Sequence, residues 1–118
     1  PIRGDPYLKK NEVTRVYISG PISNQNESEG RFTMAENYLM NKGLKVSNPY
    51  SIPEPEEKSN GRDTWSYYMK ESVKLLADCT KVYMLEGWED STGATIEHNL
   101  ARDLNLIIMY EKDDHKYV

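Results

Sequence analysis

Glu97 asks more of chemistry than any other residue in the chain. It falls one turn into a predicted helix that begins near Gly93. Helical spacing places it on the face of Ala94, Ala101 and Leu104, the side turned toward a core. A carboxylate on that side is costly unless something uses or satisfies it. A capping box would satisfy it, but that needs Ser or Thr three residues earlier, and position 94 is Ala. Favourable contact with the helix dipole is the remaining structural account. The functional account is that a substrate meets the carboxylate there.

The turn before it supports the functional account. Across Trp88 to Gly93, the residues Ser91, Thr92 and Gly93 bring hydroxyls and bare N–H groups to a helix start, a natural site for an anion. Capping of the helix by Ser91 or Thr92 explains one hydroxyl and is compatible with anion binding. The segment from Trp88 to Glu97 is therefore the expected working site. Ser19-Gly20-Pro21 closes a predicted strand, and Gly20 allows a ligand close to the backbone. Tyr17, two residues earlier, is by default a core or sheet-face aromatic. Asn48-Pro49 ends a second short strand, and Asn48-Pro49-Tyr50 converges on the same edge.

Other chemistries lack their residues. No P-loop lysine and no dinucleotide glycine fingerprint is present. His98 points roughly 100° around the helix from Glu97. His115 lies near the end of the sequence, and neither histidine has metal-ligand spacing with the other. Both are expected to be solvated, with no metal and no cofactor. The single cysteine, Cys79, excludes an intrachain disulfide and precedes an apolar run, as a buried small hydrophobe would. A net charge of -4, with basic and acidic residues interleaved, argues against a nucleic-acid polymer as partner. No apolar stretch is long enough to span a membrane and no signal-peptide pattern opens the sequence, so a cytoplasmic protein is expected.

These residues must be positioned by a small scaffold. At 118 residues the chain suggests one domain, here over 13–110, with a loose arm at 1–12 and a polar tail at 111–118. Strands are expected at 13–19, 44–47, 81–85 and 105–110, the last a continuous apolar run suited to a sheet covered on both faces. Helices are expected at 27–42, with Phe32, Ala35, Leu39 and Met40 on one face, and at 93–104. A helix between them is capped at Thr64 and carries Trp65, Met69, Val73 and Leu76 as its buried stripe. Residues 50–63 form a long loop of the kind that often serves as a lid. The order βαβαβαβ implies an α/β, small doubly wound (flavodoxin/Rossmann-like), mostly parallel sheet with helices on both faces. Ligands of such folds bind beyond the carboxyl ends of the strands.

The segments Val16 to Pro21, Asn48-Pro49 and Leu85 to Ala101 resemble the nucleoside 2-deoxyribosyltransferase superfamily, and its DUF4406 branch in particular. The resemblance spans Val13 to about Tyr110. It implies that Glu97 attacks the anomeric carbon of a nucleoside sugar and forms a glycosyl-enzyme intermediate, and that Tyr17 orients it. It implies that Ser91, where transferases of the family carry Asp, accommodates a 5′-phosphate, although Asp90 stands next to it. A nucleotide or nucleoside is thus the expected small-molecule partner, bound by Ser19, Gly20, Pro21, Asn48, Trp88, Ser91 and Gly93. Homo-oligomers are common in the superfamily, and Trp65, Tyr67 and Tyr68 form an aromatic stretch that suits either a contact between copies or the core.

Two positions depart from the family. Ser72 and Thr80 stand where it carries aspartates, the first of which helps to protonate the leaving base. Glu71 and Asp78 are the nearby carboxylates that a local shift would bring in as substitutes. The alternative to an N-glycosidase is a nucleotide-binding or sensing module without catalysis. A receiver-type signalling domain would need an acidic pair after the first strand, where this chain has Ser19-Gly20. A flavin carrier would need a phosphate-cradling cluster in the first loop, which is also missing.

Overall fold

The computed structural model describes residues 14–22, 26–56 and 61–114. The expected arm over 1–12 and the tail beyond 114, with His115, lie outside the described residues. Four strands, β1 (Arg15–Ser19), β2 (Lys45–Ser47), β3 (Lys81–Met84) and β4 (Ile107–Tyr110), pair in parallel in the order β2-β1-β3-β4. Three helices connect them: α1 (Asn26–Asn41), α2 (Gly61–Ala77) and α3 (Thr92–Asp103).

Strand parity divides the core. Successive side chains on a strand point to opposite faces. Val16 and Ile18 of β1 therefore pack with Phe32, Ala35 and Leu39 of α1. Tyr17 packs on the other face with Leu76, Val82, Met84, Ala94 and Ala101, under α2 and α3. This is the expected doubly wound α/β arrangement. From β1 the chain first adds β2 on one side, then crosses to add β3 on the other. That reversal opens a crevice at the carboxyl ends of β1 and β3. The Leu85 N–H donates to the Ser19 carbonyl at 2.8 Å and carries the ladder to the crevice edge. A Cβ on Gly20 would lie 2.8 Å from Leu85 Cβ, so glycine is what lets these strand ends close together.

Several elements differ from the sequence reading. Helix α2 begins at Gly61, so Thr64 lies inside it and does not cap it. Asp63 in the first turn favours that earlier start. Nor is the expected stripe of α2 buried along its length: Trp65 is 47% exposed, while Ser72 and Leu76 are buried. A helix of 17 residues is about 25 Å long and outruns a strand of four, so its first half overhangs the sheet edge. Met40 and Leu104 are exposed. Met40 sits one helical step from buried Leu39, and Leu104 lies past the end of α3, where Asn105 turns the chain with φ 62°. β4 is an edge strand, and Ile107 at its start is exposed rather than covered. The loop after β2 contains a 3-10 turn, Pro49–Ser51.

Residues 111–114 are built into the domain. They form a 3-10 turn, and Asp114 accepts hydrogen bonds from Tyr38 and Tyr83 at 2.9 and 3.0 Å. No described helix is long and apolar enough to cross a membrane.

Candidate active site

Helix α3 positions the central carboxylate. Ser91 is its N-cap: the Ser91 hydroxyl accepts from the Ala94 N–H at 3.2 Å. Ala94, Glu97 and Ala101 then form the buried line of the helix. The two alanines let α3 settle closely on the sheet, which drives Glu97 against β1. There the same strand parity that buries Tyr17 also aims Ser19. The Tyr17 hydroxyl donates to Glu97 Oε2 at 2.8 Å, and the Ser19 hydroxyl donates to Oε1 at 2.6 Å. Glu97 is 5% exposed, and no described basic side chain pairs with it.

Burial pushes the Glu97 carboxyl above its ordinary value, and the hydrogen bonds from Ser19 and then Tyr17 pull it part of the way back. Tyr17 is raised well above the usual phenol value, chiefly by burial and then by the charge of Glu97. The Ser72 hydroxyl beside it acts in the opposite direction. A carboxylate has about four lone-pair sites, and two are used here. The others remain available on the cavity side.

That cavity has a volume of about 550 Å³ and runs along the sheet edge. Glu97, Ala94, Gly93 and Ser91 form one wall. Pro49, Tyr50, Ile52 and Glu54 form another, and Trp65, Tyr68 and Met69 of α2 close over it. Gly20 lines it at the end of β1.

The expected site residues thus divide into groups. Gly20, Ser91, Gly93 and Glu97 face the cavity, with Tyr17 and Ser19 directly behind the carboxylate. Pro21 does not line it. The Pro21 carbonyl accepts from the Ser28 hydroxyl, and its ring packs beside Gly87, whose φ of 90° needs glycine. Asn48 is occupied structurally: its Oδ1 caps the N–H of Tyr50 at 3.0 Å, and its Nδ2 donates to Glu36 at 2.9 Å. Trp88 lies apart, in a cavity of about 140 Å³ with Tyr110 and Lys112. It stacks on His98 at 4.1 Å between ring centroids, and His98 Nε2 sits 2.8 Å from the Tyr110 hydroxyl. His98 is therefore half-buried between aromatic rings, not solvated as its sequence position suggests.

Ser72 adjoins Tyr17 without lining the cavity, and Thr80 lies apart from both. Ser72 is buried behind Tyr17, whereas Thr80 is exposed and bonds the Arg15 carbonyl at 3.4 Å. Neither Glu71, paired with Lys74, nor exposed Asp78 lines the cavity. Tyr50, expected at this edge with Asn48 and Pro49, does line the cavity. Sequence reasoning did not single out Glu54 or the overhanging Trp65 as cavity residues, and the long Pro-rich loop was the available signal for Glu54.

No curated protein matches this chain. Among solved structures, the 2-deoxyribosyltransferase of the psychrotolerant bacterium Bacillus psychrosaccharolyticus is similar, with a TM-score of 0.66 and 19% sequence identity. The match covers 82% of this chain and 71% of that one, and at this identity it shows the fold. Residues 14–110 match the model of DUF4406, described as a domain of unknown function. From the first strand to the last, the chain belongs to the DUF4406 family, built on a fold that a 2-deoxyribosyltransferase shares.

Proposed function

We propose that this protein cleaves the N-glycosidic bond of a nucleoside 5′-monophosphate, with Glu97 as the nucleophile. The observation that carries the reading is a buried carboxylate held by two hydroxyls, without a described cationic partner, on the wall of a cavity of about 550 Å³. A structural carboxylate this deep would ordinarily be neutralised by a basic group. The fold shared with a 2-deoxyribosyltransferase supports chemistry between sugar and base.

In this reading a Glu97 oxygen attacks the anomeric carbon as the base departs. Water, or a second base, then opens the glycosyl-enzyme ester. Tyr17 and Ser19 hold the carboxylate in one orientation throughout. The start of α3 at Ser91 to Gly93 receives the 5′-phosphate through backbone N–H groups and the helix dipole. The aromatic rings of Tyr50, Trp65 and Tyr68 offer surfaces against which the base can lie.

The test is incubation with a panel of ribo- and deoxyribonucleoside 5′-monophosphates and their nucleosides, followed by chromatography for free base. Wild type is expected to release base from the monophosphates. Glu97→Ala is expected to reduce release by at least about 10³-fold while still binding substrate. A specific observation favours a second reading: Ser72, the residue behind Tyr17, is not an acid. Saturable nucleotide binding with no base released from any compound would identify a binding module instead.

A further inference from the structure

Breaking an N-glycosidic bond leaves an electron pair on a ring nitrogen of the base, and an ordinary base leaves slowly unless that nitrogen takes up a proton. Glu97 cannot supply the proton while its carboxylate attacks the sugar. The other described side chains of the cavity wall that carry O–H groups are Tyr50, Thr64, Tyr68, Ser91 and Glu54. Hydroxyls hold their protons too tightly to serve as acids near neutral pH. Two of them are also engaged: Tyr50 with Ser28 at 2.6 Å, and Ser91 with the start of α3. Glu54 is left.

Its backbone is built to hold position. Pro53 and Pro55 flank it, the first with a fixed φ of its own and the second restricting Glu54 to extended conformations. The Tyr67 hydroxyl donates to the Pro53 carbonyl at 2.8 Å and ties the strap to α2. The Ile52 N–H donates to the Pro49 carbonyl at 3.1 Å and ties its other end to the 3-10 turn. Glu54 and Glu97 thus reach one cavity from two separately anchored walls, the loop after β2 and helix α3. A base lying between them would meet the loop carboxyl on one side and Glu97 on the other.

We propose that Glu54 is the acid that protonates the departing base, and then the base that activates the incoming water. The proposal rests on the glycosidase reading above. In the first step a Glu97 oxygen bonds to C1′ and the C1′–N bond breaks. Its electron pair goes to the base nitrogen, which takes the Glu54 proton. In the second step water bonds to C1′, its proton passes to the Glu54 carboxylate, and the ester bond to Glu97 breaks. Glu97 is released as a carboxylate and Glu54 is protonated again, so one water is consumed for each base freed.

The experiment compares Glu54→Gln with wild type on two substrates. One is the nucleotide that wild type cleaves fastest. The other is 7-methylguanosine 5′-monophosphate, whose cationic base leaves as a neutral molecule without taking a proton. On the ordinary substrate, Glu54→Gln is expected to lose on the order of 10²–10⁴-fold in rate. On the methylated substrate the variant should release one equivalent of base per enzyme at the wild-type rate and then turn over slowly, because water is no longer activated. A wild-type rate on the ordinary substrate, or a methylated burst slowed as much as ordinary cleavage, would overturn the assignment. If wild type releases base from neither compound, the glycosidase reading itself falls and this assignment with it. Glu54 is on the surface of a loop, so the variant is expected to fold, and circular dichroism checks that it does.

Discussion

At the scale of single residues, the proposed reaction has Glu97 trade stability for reactivity. Burial raises its carboxyl above the ordinary value of 4.5. The folded protein therefore holds that proton more tightly than the unfolded chain does. Stability contributed by this group is fully present below the ordinary carboxyl value and is lost as pH rises through the raised folded value. Glu97→Gln removes the titration while keeping the shape. Thermal unfolding followed across pH should show the variant gaining on wild type as pH rises through that window, with the gap closing on acidification. In the proposed reaction activity runs the other way, because the attacking form is the ionised one. The wild-type rate should rise with pH through the same raised value. Tyr17→Phe deletes the 2.8 Å hydrogen bond that favours the ionised form. Hydrogen bonds to charged groups contribute about 1.5–3 kcal/mol, so a loss of roughly 10–100-fold in kcat is expected. The acid limb of the pH–rate profile should move to higher pH, a shift that a merely structural tyrosine would not produce.

At the scale of elements, two local devices set where Glu97 sits. The first is the Ser91 cap. Ser91→Ala should cost about 1 kcal/mol in denaturant unfolding and loosen the first turn of α3, with catalysis falling further than stability alone explains. The second is the close approach of β1 and β3 at Gly20. Gly20→Ala would push a methyl against Leu85 Cβ, an atom fixed to the backbone, and should destabilise by roughly 1–3 kcal/mol. The cap was legible in the sequence from a Ser-Thr-Gly run. At Gly20 the sequence suggested room for a ligand, and the contact with Leu85 that requires glycine was not legible there. The line of Ala94, Glu97 and Ala101 was legible from helical spacing alone. The position of Trp88 was not. It precedes Ser91 by three residues, yet a 3-10 turn from Trp88 to Asp90 carries its ring to the β4 side, against His98. Short turns redirect side chains in ways that residue type does not encode. Met40 is exposed because it lies roughly 100° around α1 from Leu39, and Leu104 because it lies past the end of α3.

At the scale of the whole molecule, alternation of strand and helix was enough to read the parallel sheet and its binding edge. The cavity itself was beyond reach, because it depends on lengths as well as on types. A helix longer than the strands it covers must project past them, and α2 projects toward the loop that follows β2. Trp65, Met69 and Tyr68 looked like core because they follow the core period. They line a cavity because the sheet stops beneath them. The acidic balance extends to the site, where Glu54 and Glu97 are the charged side chains among the described lining residues. A ligand phosphate would find backbone dipoles there instead of a lysine or arginine. Monophosphates should accordingly bind with a weak dependence on salt compared with a protein that neutralises phosphate by basic side chains, a contrast that titrations at low and high ionic strength would measure.

The overhang of α2 has an optical consequence. The chain holds two indoles, and they are placed very differently. Trp88 is stacked against an imidazole ring, away from the cavity. Trp65 stands half in water at the cavity mouth. Occupation of the site would strip solvent from Trp65 alone, shifting its emission to shorter wavelength and shielding it from dissolved quenchers. The protein therefore carries its own fluorescent gauge of occupancy, and Trp65→Phe should silence it without touching the carboxylates beneath.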